Sequence, residues 1–324
     1  MLPIKSGREL PIMTISAKKL KRWTKYETAA VTSAKDTHTH IRERLDSNDS
    51  RLNNRGEARF DTMLQGSYAN TTLVRGSGDV DILVRLDNPY KGDLSKLGTR
   101  KTLHYERTAE FYSGEYTLEK FQSDVLAELE DTYGSDAVDR GNKAIEIDAS
   151  KCQLSADADV VPCQQYRKYT NYKGDQHDPA MFYRGIRFFP ADSNDTIVNY
   201  PQRHISKGEE LNEDANGNYK ETVRIFKNAR NALIDEGRVT KDDVPSYFIE
   251  CLLSNVPASK FHTSDLVDRF GGIIAYLQRE DVDLKTFSVQ HDLESLFGRF
   301  DKTKWDRENA EQYIDELAWL YHNG

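Results

Sequence analysis

Residues 79–86 read Asp-Val-Asp-Ile-Leu-Val-Arg-Leu, an apolar run in which two carboxylates stand two residues apart. The alternation has period two and predicts a strand, with Val80, Ile82 and Val84 on one face and Asp79, Asp81 and Leu83 on the other. Both carboxylates then leave the same face side by side, where each disfavours the ionised form of its neighbour. A strand that carries this repulsion calls for a positive partner at its start. The chain must therefore fold so that one end of a sheet strand is a site.

Around that strand the pattern is mixed as far as about residue 208 and helical beyond it. Ile15 to about Leu45 is charged or helix-favouring without Gly or Pro, which predicts one long early helix. "NDSRLNNR", Asn48 to Arg55, breaks it, and Phe60 to Leu64 reads as a second helical stretch. A Glu- and Leu-rich helix at Leu118 to Tyr133 and strands at "AIEIDA" and "ADADVVPC" complete a sheet with helices on one face. Around Gly208, "SKGEELNEDANGNYKE", Ser206 to Glu221, reads as polar and turn-rich. Helices are then expected at Val223–Ile234, Pro245–Ser254, Ser264–Gln278 and Asn309–His322. The expected division is 1–208, a mixed core that includes the early helix, and 209–324, a helical lobe.

Composition narrows the class. With 53 acidic and 45 basic side chains the net charge is −8, so no global positive field draws the chain to nucleic acid or anionic lipid. No apolar leader follows Met1 and no run approaches the roughly 18 residues of a spanning helix, so a cytoplasmic protein with no membrane partner is expected. Cys152, Cys163 and Cys251 lack C-x-x-C spacing and are expected as buried apolar residues.

Chemistry enters at "LQGSYANTTLVRGSGDVDILVRL", residues 64–86, where Gly66-Ser67 precedes the aspartates by twelve residues. A Gly-Ser turn lets backbone N–H groups and a hydroxyl approach phosphate oxygens closely. Mg²⁺ favours hard carboxylate oxygens shared with substrate phosphates, so Asp79 and Asp81 opposite a phosphate cradle are candidate metal ligands. A two-metal phosphoryl-transfer site needs a further carboxylate. Asp159, where "ADADVVPC" approaches the end of its strand, is the choice, with Asp157, Glu146 and Asp148 as fallbacks. In the later half Arg224 and Lys227, three apart on one helix, present two cations to a phosphate chain.

The run G-S-Y-A-N-x-T-x-V-R, then D-V-D-I, then D-V-V-P resembles the nucleotidyltransferases that include cyclic GMP-AMP synthase and oligoadenylate synthase, in particular the bacterial CD-NTases of antiphage defence. "IVNYPQRHISKGEELN", "VRIFKNARN", "VPSYFIECLL" and "HDLESLFG" continue the likeness in order, so that it covers about Asp61 to Phe297. The resemblance implies an α+β, bilobal fold: a polymerase-β-like nucleotidyltransferase core with a mixed sheet, plus a helical lobe. It implies two Mg²⁺ ions, with Mn²⁺ able to substitute, on Asp79, Asp81 and Asp159. Gly66, Ser67 and Lys227 would meet the triphosphate, with Arg224 beside Lys227. Ser246 would meet phosphate, and Tyr247 would stack on the base. Activity would join nucleoside triphosphates (ATP, with GTP, UTP or CTP as further candidates) into a cyclic di- or oligonucleotide second messenger read by a downstream effector protein.

The zinc insertion of the animal cyclic GMP-AMP synthase has no counterpart here, and His38 and His40, two apart on an expected helix, do not share a face. Without a basic surface no nucleic-acid activator is expected; the short stretch "KKLKRWTK", Lys18 to Lys25, is the exception to watch. Two rival readings stand beside this one: a nucleotidyltransferase that modifies RNA or protein, and a nucleotide-binding module without turnover.

Overall fold

Where one long helix was expected, the computed structural model has two, and it describes residues 14–53, 59–74, 79–193, 195–298 and 305–324. Ser16 caps α1 (Ala17–Trp23), its hydroxyl accepting from Lys19 N at 3.2 Å. The helix stops at Thr24, and α2 (Thr28–Leu45) begins beyond Glu27. The break follows from what each half buries. Leu20 and Trp23 belong to the core of the C-terminal helices, whereas Ala34, Ile41 and Leu45 belong to the core of the sheet. By its contacts the chain divides into one unit of residues 26–209 and another of residues 210–324 together with the described residues 14–25, so α1 does not belong to the sheet-bearing unit in which the sequence placed it.

In the first unit β1 (Arg59–Leu64) runs antiparallel to β2 (Val80–Asp93), with Phe60 opposite Leu86 and Leu64 opposite Ile82. The stretch read as helical from Phe60 is thus a strand. Its local preference yields to a neighbour that offers a full hydrogen-bond ladder. Between the two strands lies one helical turn, α3 (Gly66–Ala69). Two helices follow, α4 (Thr99–Thr108) and α5 (Leu118–Tyr133), the latter capped by Thr117 and matching its expected bounds. Next come β3 (Val138–Arg140), β4 (Ile145–Ile147), β5 (Ala158–Tyr169), β6 (Phe182–Phe188) and β7 (Ile197–Asn199).

The sheet order is β1-β2-β5-β4-β3, with β6 on β5 and β7 on β6. The β2–β5 pair is parallel and the other pairs are antiparallel. Val80, Ile82, Val84 and Val160 pack with Phe121 and Val125 of α5 and with α2, so these two helices lie on one face, as expected, whereas Tyr105 of α4 packs in a separate cluster with Tyr169 and Phe182. Leu83, Val161, Cys163, Ile186 and Phe188 form a smaller strand-only cluster. Each such side chain removed from water contributes on the order of 2 kcal/mol, which makes β2 and β5 a rigid platform.

The second unit is helical. α6 (Pro201–Asp214), whose residues 201–209 still belong to the sheet-bearing unit, occupies much of the stretch expected to be turn-rich, and the turn itself is short: Asn216 and Gly217 adopt φ of 54° and 82° before α7 (Asn218–Asp235) begins. α8 (Ser246–Leu253), α9 (Leu266–Leu277) and α10 (Arg307–Asn323) pack on α7 around Phe226, Phe248, Phe270, Tyr313 and Leu317. The Tyr313 hydroxyl donates to Phe226 O at 3.0 Å, and Ile15 N donates to Tyr321 O at 2.8 Å, tying the N-terminal segment to α10. Among the described residues no helix is long and apolar enough to cross a membrane.

Candidate active site

Asp81 of β2 and Asp159 of β5 are direct partners across the parallel strand pair, so their half-buried side chains leave the same face of the sheet. Glu146 of β4 is opposite Asp159 on its other side, which continues the row of acids onto a third strand. Asp79 is exposed just ahead of β2. The other two fallback acids have structural work. Asp157 accepts from Ala149 N at 2.8 Å, and Asp148 accepts from Ser150 N at 2.9 Å and pairs with Lys151 at 3.1 Å.

Over Asp81 lies the Gly66 turn. Gly66 opens α3 with φ of 66°, and a Cβ built there would come within 2.0 Å of Asp81 Oδ2. Only glycine can hold this backbone so close to the carboxylate. Gln65 N donates to Asp81 O at 3.0 Å, and Asn70 holds the turn by donating from Nδ2 to Gly66 O at 3.0 Å. Asn70 Oδ1 is buried and has no acceptor's partner among the described residues. Ser67 is half-buried, and its carbonyl accepts from Thr72 N at 3.0 Å.

The electrostatics agree with carboxylates gathered at one place. Burial pushes the Tyr68 hydroxyl above its ordinary pKa, and the charges of Asp79 and then Asp81 push it further. A donor set made only of carboxylate oxygens fits a hard divalent cation. Among the described residues, however, no three His, Cys, Asp or Glu side chains are gathered closely enough to form a ready cage. The glycine-lined approach to Asp81 and the donor chemistry are what favour a cation and a phosphate here.

In the helical unit the cations expected to face a ligand are committed to protein. Arg224 Nε donates to Thr24 O at 2.7 Å. Lys227 is 1% exposed, and its Nζ meets Glu250 Oε1 at 2.6 Å. The stripe of residues 224, 227 and 230 on α7 looks inward, toward α8 and the N-terminal segment, where Arg224 and Lys227 were expected to present their charges to a phosphate chain. Sequence reasoning missed Arg230, which donates to Val244 O at 2.6 Å and to Ser246 Oγ at 3.1 Å. It also missed Glu250, although a lone acid in the apolar "SYFIECLL" signals a buried partner. Ser246 is the first residue of α8. Tyr247 is partly buried, its ring 5.7 Å from that of Trp305, and burial pushes its hydroxyl well above the ordinary range.

The cGAS/DncV-like nucleotidyltransferase C-terminal helical domain matches residues 206–322. The chain is 36% identical over 305 residues to the cyclic nucleotide synthase CdnE01 of Staphylococcus haemolyticus, covering 94% of this chain and 98% of that one. It is 37% identical over 308 residues to the cyclic UMP-AMP synthase of Rhodothermus marinus, again covering 94% and 98%. The solved structure of Rhodothermus marinus CdnE c-UMP-AMP synthase with Apcpp and Upnpp superposes with a TM-score of 0.80 at 36% identity, over 95% of this chain and 96% of that one.

Proposed function

The chain belongs to the CD-NTases, and on that premise we propose that it joins nucleoside triphosphates into a cyclic di- or oligonucleotide, releasing pyrophosphate at each bond. The observation that carries this reading is the pairing of Asp81 with Asp159 beneath the Gly66 turn. A ribose hydroxyl of one nucleotide attacks the α-phosphorus of another, the α–β phosphoanhydride bond breaks, and pyrophosphate leaves with the bonding electron pair. Asp159 takes the hydroxyl proton. Gly66 and Ser67 steady the triphosphate with backbone N–H groups and a hydroxyl, in an environment where they need not reorganise.

Asp79, Asp81 and Asp159 would hold two Mg²⁺ ions, with Mn²⁺ able to substitute; bound there, such ions supply charge neutralisation on the phosphate oxygens. In the helical unit Arg224, Lys227, Ser246 and Tyr247 are the nucleotide contacts. For Lys227 this requires Nζ to exchange the Glu250 carboxylate for a phosphate oxygen, one charge-assisted bond for another. ATP is a substrate, with GTP, UTP or CTP as the second nucleotide. The product acts in the cytoplasm as an antiphage second messenger, through an effector protein that binds it.

The test is incubation with all four triphosphates and Mg²⁺ or Mn²⁺, then phosphatase treatment and mass spectrometry. Small phosphatase-resistant products of cyclic mass are expected. Label transferred to RNA or to protein, or triphosphates left intact, would overturn the reading.

A further inference from the structure

A cavity of about 1030 Å³ opens in the sheet-bearing unit, away from the aspartates. Its lining on β2 begins at Asp87, six residues beyond Asp81, which is roughly 20 Å along a strand. A volume of this order matches that of small-molecule sites, roughly 300 to 1,000 Å³.

The floor is Arg167 of β5, only 7% exposed. Its Nε donates to Gln165 Oε1 at 2.6 Å and its Nη1 to Gln176 O at 2.8 Å, while the guanidinium lies 3.6 Å from the centre of the Tyr90 ring. A further contact is His177 Nδ1, 3.3 Å from Nη1, and among the described residues no carboxylate pairs with Arg167. A buried cation without an anion is costly. Directly opposite it on β6 stands Arg184, and like charges facing each other across a strand pair add to that cost. Lys91 and Arg59 bring two more exposed cations, and among the described residues none of Arg59, Lys91 and Arg184 is ion-paired.

The lining acids do not cancel this charge. Asp87 is held by Arg85 Nε at 2.5 Å and Gln165 Nε2 at 2.8 Å, which leaves Glu110, exposed. The cavity also offers rings. Phe111 is 64% exposed, edge-on to Tyr105 with centroids 6.0 Å apart, and Tyr112 follows it. An exposed phenylalanine beside unpaired cations suits a ligand with a flat aromatic part and a strongly anionic part.

We propose that this cavity binds a nucleotide at a site separate from the carboxylates, with the base against Phe111 and the phosphates on Arg167 and Arg184. The lining lies wholly within residues 59–184, and the inference stands whatever reaction the carboxylates perform. A substrate triphosphate and a cyclic dinucleotide product share this chemistry, and the test separates them.

The full chain in EDTA is irradiated with 8-azido-ATP, and the modified peptides are mapped by mass spectrometry. Label is expected on the peptide that contains Phe111 and Tyr112, displaced by ATP or by a cyclic dinucleotide, whichever is the ligand, but not by adenosine. Lys91→Glu with Arg184→Glu should cut that label at least tenfold, and Arg59→Gln should weaken it should the double variant not fold. Absence of label from that peptide, label undiminished in folded charge variants, or displacement by adenosine as good as by ATP would overturn the proposal. Displacement by a single-stranded RNA oligomer with none by ATP or the cyclic dinucleotide would overturn it in favour of a polymer site.

Discussion

Gly66 has two separate reasons to be glycine, and they can be tested separately from the carboxylates beneath it. Its φ of 66° costs an L-residue about 1 kcal/mol, and a Cβ would collide with Asp81 Oδ2 at 2.0 Å. Gly66→Ala must therefore move either the turn or the carboxylate. Product formation is expected to fall by on the order of 10²-fold, as a misplacement of about 1 Å does, while the melting temperature drops only a few degrees. Ser67→Ala removes a hydroxyl without such a collision and should lose less activity in the same assay. Asp79→Asn with Asp81→Asn asks a different question. Several kcal/mol of transition-state stabilisation should disappear, so turnover falls ~10³-fold or more. Relief of like-charge repulsion should hold or raise the metal-free melting temperature. Pyrophosphate release near the wild-type rate in that double variant would remove Asp79 and Asp81 from the site.

At the scale of elements, α7 and α8 share one buried ion pair, Lys227 with Glu250, beside their apolar contacts. Removing one member of such a pair leaves a stranded charge and costs about 3–5 kcal/mol, whereas replacing both by apolar groups is often neutral. Lys227→Ala should thus lose much of the stability measured by urea unfolding, and Lys227→Met with Glu250→Leu should recover most of it. Kinetics then separate the two roles of Lys227. If its Nζ also meets the triphosphate, the stable double variant shows a raised KM with a smaller fall in kcat; an unchanged KM leaves Lys227 purely structural.

This pair also marks what the sequence could and could not reveal. Helix α5 and the four C-terminal helices were legible because their apolar stripes have helical spacing and each faces the core of its own unit. The Asp81–Asp159 pairing was legible as two acid-bearing strands, although their register was not. β1 was misread because Arg59–Leu64 takes its conformation from its partner β2. α6 was missed because its face is largely polar, with only Pro201, His204 and Gly208 buried. The inward turn of Lys227 depends on where α8 lies, and helical spacing in α7 carries no information about that.

For the whole molecule, a net charge of −8 opposes attraction to nucleic acid, but α1 is a local exception. Leu20 and Trp23 anchor it in the helical core, Lys18, Lys21 and Arg22 are exposed on it at helical spacing, and exposed Lys25 follows its C-cap, which makes one short basic cluster of four. Four cations displace the counterions of about four phosphates, so binding falls with a log–log slope of about −3.6, roughly 10²-fold between 50 and 200 mM salt. An isolated cluster of that size on an acidic protein has little affinity left at physiological ionic strength. Product formation at 150 mM salt is therefore expected to be unchanged by duplex DNA or duplex RNA. The measurement is the initial rate with and without each duplex at 50 and 150 mM salt, repeated in Lys18→Glu with Lys21→Glu. A several-fold stimulation that disappears in this variant would sink the prediction. The exposed face of α1 would then be a duplex sensor, able to act locally against the field of the rest of the protein.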